Sequence, residues 1–374
     1  MALISQNRTL LVISTFLYLH PCIAQSWSED TLKSLSLDQK IGQLFMAAVR
    51  LSEQVDPLTK TTLMPPHMAV PYVEDLIKQY HIGGIIYLGR HTSSEQLPVN
   101  QLLQEQSAIP LLVGQDFEWG LGMRLTDCTS FPRAAELGNR DDTDLTYHSA
   151  HTIGKQCKTL GVHINFAPVV DINTNPNNPI IGTRSFGNTP EMVIKHATAF
   201  AQGLLDAGII PCIKHFPGHG DTSIDSHIGL PTIDHPLQRL SSVELAPFIA
   251  LINHHIPAIM IAHLTVPALD ATDTPSSLSY SIVTELLRNT YHFDGLIITD
   301  ALDMGALQSM GSAADIALQA FKAGNDILLA STDIPGAHAR IKQEVEHNSE
   351  LLKELDAHVL RILKAKEMAL LLNK

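Results

Sequence analysis

The sequence predicts an α/β protein: a single (β/α)8 TIM-type barrel with a C-terminal helix. Three observations predict it. Eight apolar runs of strand length recur along the 374 residues, helical patterns lie between most of them, and the runs repeatedly end in a titratable residue. Such β–α alternation over about 300 residues implies a parallel sheet with helical crossovers, and eight units suggest closure. A doubly wound open sheet is the alternative, but no glycine fingerprint for a dinucleotide supports it.

A capped helix start at Ser36-Leu37-Asp38-Gln39-Lys40 leads into the first run, near Gly42 to Val49. Ile82–Leu88 is the second run. Ile109–Val113 is the third and leads to Asp116. Val162–Val170 (VHINFAPVV) ends in Asp171, and Ile209–Ile213 in Lys214-His215. Pro257–Ala262 ends in His263, Gly295–Ile298 in Thr299-Asp300, and Asp326–Ala330 comes last. Helical spacing covers Thr143–Leu160, Pro190–Ala207, Leu237–Asn253, Ile282–Thr290 and Ala313–Ala323, and Ser349–Leu372 reads as the terminal helix. In a barrel, Asp116, Asp171, Lys214, His215, His263 and Asp300 would share the C-terminal mouth, where such folds place their chemistry. Any one of these carboxylates could instead cap the next helix.

The densest group is Lys214–Leu230, KHFPGHGDTSIDSHIGL, with three histidines, two aspartates and a lysine. Pro217, Gly218 and Gly220 forbid regular structure there, so a buried strand should release a polar loop. A metal site is one reading, but the spacing is irregular and no HExxH or cysteine pair accompanies it. A surface loop that happens to carry histidines is the plainest. The third is a catalytic loop, in which Asp225 orients His227 and His227 moves a proton.

Composition narrows the partners. Hydrophobic residues make up 45% and charged residues 17%, an ordinary globular balance. A net charge of −13 argues against nucleic acid and anionic membrane surfaces. Arg8 is the only charge in the first 28 residues, followed by the apolar run Leu10–Leu19 and by Cys22-Ile23-Ala24. This predicts a signal peptide at 1–24, too short to span a bilayer, and an exported, periplasmic or secreted protein over 25–374. Lipidation at Cys22 is the alternative, which Pro21 fits poorly. Of the four cysteines, Cys128, Cys157 and Cys212 would remain, an odd number. A Cys128–Cys157 bridge would suit an oxidising compartment.

The segments Gly295–Ala306 (GLIITDALDMGA), Ile181–Gly187 (IGTRSFG) and Lys214–His227 resemble glycoside hydrolase family 3. The Asp225-Ser226-His227 step is similar to its β-N-acetylhexosaminidase branch, and the resemblance covers nearly the whole of 25–374. It implies a retaining exo-β-N-acetylglucosaminidase acting on terminal N-acetylglucosamine of glycans such as peptidoglycan fragments. Asp300 would be the nucleophile, with Asp303 as a competing carboxylate, and His227-Asp225 the acid/base pair. Asp116, Arg124, Arg184, Lys214 and His215 would bind substrate, with His263 and Met304 lining the pocket. His219 would shape the loop. Glu118 and Trp119 fall in a stretch, Phe117–Gly122, where the resemblance is weakest, and Trp119 would be either a sugar platform or core. No metal and no cofactor is implied, and a monomer is expected. The rivals are a β-glucosidase or β-xylosidase on the same scaffold, a metal-dependent hydrolase using the His-rich loop, and a non-catalytic glycan-binding protein.

Overall fold

The computed structural model describes residues 26–52, 54–55, 62–224, 226 and 229–372. The signal peptide expected at 1–24 lies outside the described residues, as do Asp225 and His227.

Eight parallel strands form one sheet: β1 (Phe45–Val49), β2 (Gly84–Tyr87), β3 (Leu112–Gln115), β4 (Ile164–Asn165), β5 (Ile210–Phe216), β6 (Ala258–Ile261), β7 (Leu296–Thr299) and β8 (Leu328–Leu329). Each lies beside its predecessor, and β8 returns to pair with β1. A parallel bridge between Ile298 and Ile327 joins the β7 and β8 sides, so the sheet curls into a barrel. The residues of β1, β2, β3, β5, β6 and β7 are all buried. Helices cover the outside and side chains fill the inside, which is why the strands read as unbroken apolar runs without alternation.

The helices follow their caps. Thr143–Leu160 starts where the Asp142 side chain accepts from Leu145 N–H and stops at Gly161, whose φ of 73° is left-handed. Ala313–Ala323 runs in the same way from Ser312 to Gly324. The C-terminal helix Ser349–Leu372 packs on the N-terminal helices Trp27–Ser34 and Leu37–Gln43. Trp27 N–H donates to Glu367 Oε1 at 3.0 Å, and Lys366 Nζ to Gln43 Oε1 at 2.6 Å, tying the two ends of the described chain together. Among the described residues no helix is long and apolar enough to cross a membrane.

Several expected boundaries change. Gly42 belongs to the helix Leu37–Gln43, not to β1. The third strand begins and ends later than Ile109–Val113. The run Val162–Val170 yields only two residues of strand, because Pro168 has no N–H to donate, and Val169 returns as an isolated bridge to Lys214. The helix expected over Leu237–Asn253 is two, Leu237–Ser242 and Ala246–Asn253, broken where Val243 leaves helical geometry. The Ile282–Thr290 segment is wound as a π-helix, Ser281–Thr290. Cys128, Cys157 and Cys212 are all free, so the Cys128–Cys157 bridge is not formed: Cys157 is buried in the core and Cys128 is only partly buried beside Asp127.

Candidate active site

The mouth of the barrel opens into a cavity of about 460 Å³. Lys214 and His215 stand on its wall, and they are inside β5, not past its end as the sequence suggested. The β5–β6 ladder is irregular between Ile213 and Phe216, and Lys214 O accepts from Val170 N–H at 2.8 Å. The backbone there is paired like a strand while both side chains reach polar partners, a use of irregular pairing common beside active sites.

Those partners form a chain of ion pairs. Lys214 Nζ donates to Asp116 Oδ1 at 2.8 Å, and Arg124 Nη2 to Asp116 Oδ2 at 2.7 Å. Lys214 Nζ also lies 2.9 Å from Glu118 Oε1. Arg184 grips Glu118 with two bonds, Nε to Oε2 at 3.0 Å and Nη2 to Oε1 at 2.8 Å. Burial alone would raise both carboxyl pKa values, but the cations outweigh it. Lys214 and Arg124 hold Asp116 far below the usual carboxylate range, and Arg184 and Lys214 hold Glu118 down to about 2. Burial pulls Lys214 down, but Asp116 and Glu118 raise it above its ordinary value. Every member is thus charged, oriented and aimed at the cavity, an arrangement suited to gripping vicinal hydroxyls.

Glu118 is the member that sequence reasoning passed over. It stands in the tight turn after β3, closed by Gly120 N–H donating to Phe117 O at 3.2 Å, while Phe117 beside it is wholly buried. Asp171, expected at the mouth, lies behind it. It accepts from His215 Nδ1 at 2.6 Å and from His219 N–H at 2.6 Å, and it does not line the cavity. It orients His215, whose Nε2 meets Arg184 Nη2 at 3.3 Å.

Asp300 lines the same cavity, just past β7. Its backbone N–H donates to Ile261 O at 2.8 Å, and Ala301 N–H donates to its Oδ1 at 2.8 Å. Burial pushes its pKa up, but His215, His263, the Ala301 amide and Lys214 outweigh burial and hold it below the ordinary value. Asp303, three residues on and on the same wall, goes the other way, raised chiefly by burial. The two neighbouring carboxyls are thus shifted in opposite directions, Asp300 toward its ionised form and Asp303 away from it.

His263 lies one layer behind the wall expected for it. It is fully buried, its Nδ1 bonds Ser277 Oγ at 2.7 Å and its Nε2 bonds Ala301 O at 2.9 Å. It steadies the turn after Asp300 and touches no open space. Met304 does line the cavity, as does Arg50, whose Nη1 is buried without a partner among the described residues.

The loop after β5 is anchored on both sides. His219 Nδ1 bonds Thr222 Oγ1 at 2.7 Å and its Nε2 bonds Ser226 Oγ at 3.1 Å. Ser226 O accepts from Ala306 N–H at 3.2 Å, which joins this loop to the one that follows Asp300. A Cβ at Gly220 would stand 1.7 Å from Ile172 O. Gly220→Ala must therefore push the loop off the β4 side. It should lower kcat by about 10²-fold, the scale of a 1 Å misplacement. Activity within twofold of wild type would mean that loop placement is immaterial. Asp225 and His227 lie outside the described residues. Among the described residues no group of three or more His, Cys, Asp or Glu side chains is placed to hold a metal ion.

The family described as Glycosyl hydrolase family 3 N terminal domain matches residues 36–365. The chain is similar to Beta-hexosaminidase A of Pseudoalteromonas piscicida, 33% identical over 356 residues, 87% of this chain and 58% of that one. It is also similar to Beta-hexosaminidase LpqI of Mycobacterium tuberculosis, 34% identical over 298 residues, 77% of this chain and 76% of that one. Among solved structures, a glycoside hydrolase family 3 beta-N-acetylglucosaminidase from Paenibacillus sp. superposes with a TM-score of 0.79 at 35% identity, covering 90% of this chain and 63% of that one. The chain thus spans less than two thirds of the length of two of these three relatives.

Proposed function

Because this chain belongs to glycosyl hydrolase family 3, we propose that it is a retaining exo-β-N-acetylglucosaminidase that removes terminal N-acetylglucosamine from glycans. The observation that carries the reading is that Asp300, its pKa held below the ordinary carboxylate value, lines one cavity together with Asp116, Arg124, Arg184 and Lys214. The charged group grips the sugar's hydroxyls and sets the anomeric carbon over Asp300. Asp300 attacks that carbon and forms a glycosyl ester, the aglycone oxygen leaves with a proton, and water then cleaves the ester with retention. His227, oriented by Asp225, supplies the first proton and takes the second from water. His215 and Lys214, which depress the Asp300 pKa, also favour its return as carboxylate.

The relatives' names support N-acetylglucosamine as the sugar, and the leader pattern supports an exported enzyme working on peptidoglycan fragments. The experiment is turnover of an aryl N-acetylglucosaminide against an aryl glucoside. The first should be cleaved and the second left nearly untouched; the reverse order would move the enzyme to the glucosidase class.

The proton-transfer role has its own signature. His227→Ala should slow an alkyl glycoside, whose leaving group needs a proton, by about 10²–10⁴-fold. An aryl glycoside with an acidic leaving group should lose far less in the glycosylation step. Equal slowing of both would remove His227 as the proton donor.

A further inference from the structure

Trp119 lines the same cavity as Asp300. It follows β3 and Asp300 follows β7, four strands apart in an eight-stranded ring. Two devices fix the backbone there and one touches the indole. Its backbone O accepts from Phe131 N–H at 2.8 Å. Gly120 turns the chain with φ 91°, and a Cβ there would come within 2.6 Å of the Phe131 ring. The Arg133 guanidinium lies 4.3 Å over the indole centroid and is itself held by Thr183 Oγ1 at 3.0 Å. The doubly bonded Glu118–Arg184 pair lines the same cavity. With C1 over Asp300 and the hydroxyls on the Asp116 and Arg184 side, the far end of the sugar ring points at Trp119.

We propose that Trp119, backed by Arg133, is the end wall of the pocket and sets the length of sugar that enters: one terminal residue, with no room for a chain continuing beyond its non-reducing side. The proposal rests on the reading that Asp300 marks the anomeric carbon.

The test uses the full chain and an aryl N,N′-diacetylchitobioside, with separation of released N-acetylglucosamine from intact N,N′-diacetylchitobiose. Wild type should release the monosaccharide. Trp119→Ala should raise the ratio of disaccharide to monosaccharide release at least about tenfold, and Trp119→Phe should leave it near wild type. A folded, active Trp119→Ala enzyme with an unchanged ratio overturns the proposal. So does loss of all activity in a folded variant, since the indole would then hold the sugar and not bound it. Should Trp119→Ala fail to fold, Arg133→Ala carries the test: a raised ratio supports the wall and an unchanged one removes it. A wild type inert on N-acetylglucosaminides but active on glucosides sinks only the sugar assignment, and the ratio is then read on an aryl cellobioside.

Discussion

Asp300→Asn should lose hydrolysis of an aryl N-acetylglucosaminide by on the order of 10⁴-fold or more, the loss expected when a covalent nucleophile is removed. The exchange keeps the shape of the side chain and its hydrogen bond from the Ala301 amide, so the fold should persist. It also removes a buried negative charge that faces His215, His263 and Lys214. Substrate binding should survive, because Asp116, Arg124, Arg184 and Lys214 are untouched. Asp303→Asn is the matched comparison. Asp303 lines the same cavity, but burial raises its pKa while that of Asp300 is lowered. Its variant should keep most of its turnover, and a larger loss from Asp303→Asn than from Asp300→Asn would exchange their roles.

Glu118→Ala should be the most damaging change to stability in the site. Glu118 is the shared partner of Arg184 and Lys214. Removing one partner of a buried pair leaves uncompensated charge and costs about 3–5 kcal/mol, read as a lower unfolding midpoint in urea. The same change frees the Arg184 guanidinium from its fork, so KM should rise along with the loss of stability. The pH dependence follows from the depressed carboxyl. Its pKa is about 2 in the folded chain against an ordinary 4.5. A depressed carboxyl stabilises the fold above the unfolded value and loses that contribution as pH falls through the folded one. Wild type should therefore lose stability from about pH 4.5 toward pH 2, by about 3 kcal/mol from this group. Glu118→Gln should flatten that part of the profile. Parallel acid profiles for the two proteins would show that the charge of Glu118 does not support the fold.

Much of this architecture was legible because its causes are local. Thr143–Leu160 is bounded by an Asp cap and a glycine in left-handed geometry, and both are visible as residue types. The eight strands are buried on both faces, so their apolar runs stand out without alternation. What failed depends on partners distant in sequence. Lys214 and His215 read as loop because they are polar, yet they sit in β5 because Asp116, Glu118 and Asp171 compensate their burial. His263 ends an apolar run like the others, but its two nitrogens are taken by Ser277 and Ala301 from outside its own strand. Glu118 lay in the stretch where the motif resemblance was weakest, in a turn after β3, and its partners Arg184 and Lys214 are distant in sequence. The break at Val243 follows no glycine, and Pro247, which sits within the first turn of the second helix, marks the restart and not the break.

Retention requires a covalent sugar ester on Asp300. Incubation with a 5-fluoro-N-acetylglucosaminyl fluoride, which forms the ester and then slows its hydrolysis, followed by peptide mass mapping, tests it most directly. One adduct should appear, on the Asp300 carboxylate, and it should be absent from Asp300→Asn. An adduct on Asp303, or no adduct together with a first-formed product of inverted configuration, would contradict the account.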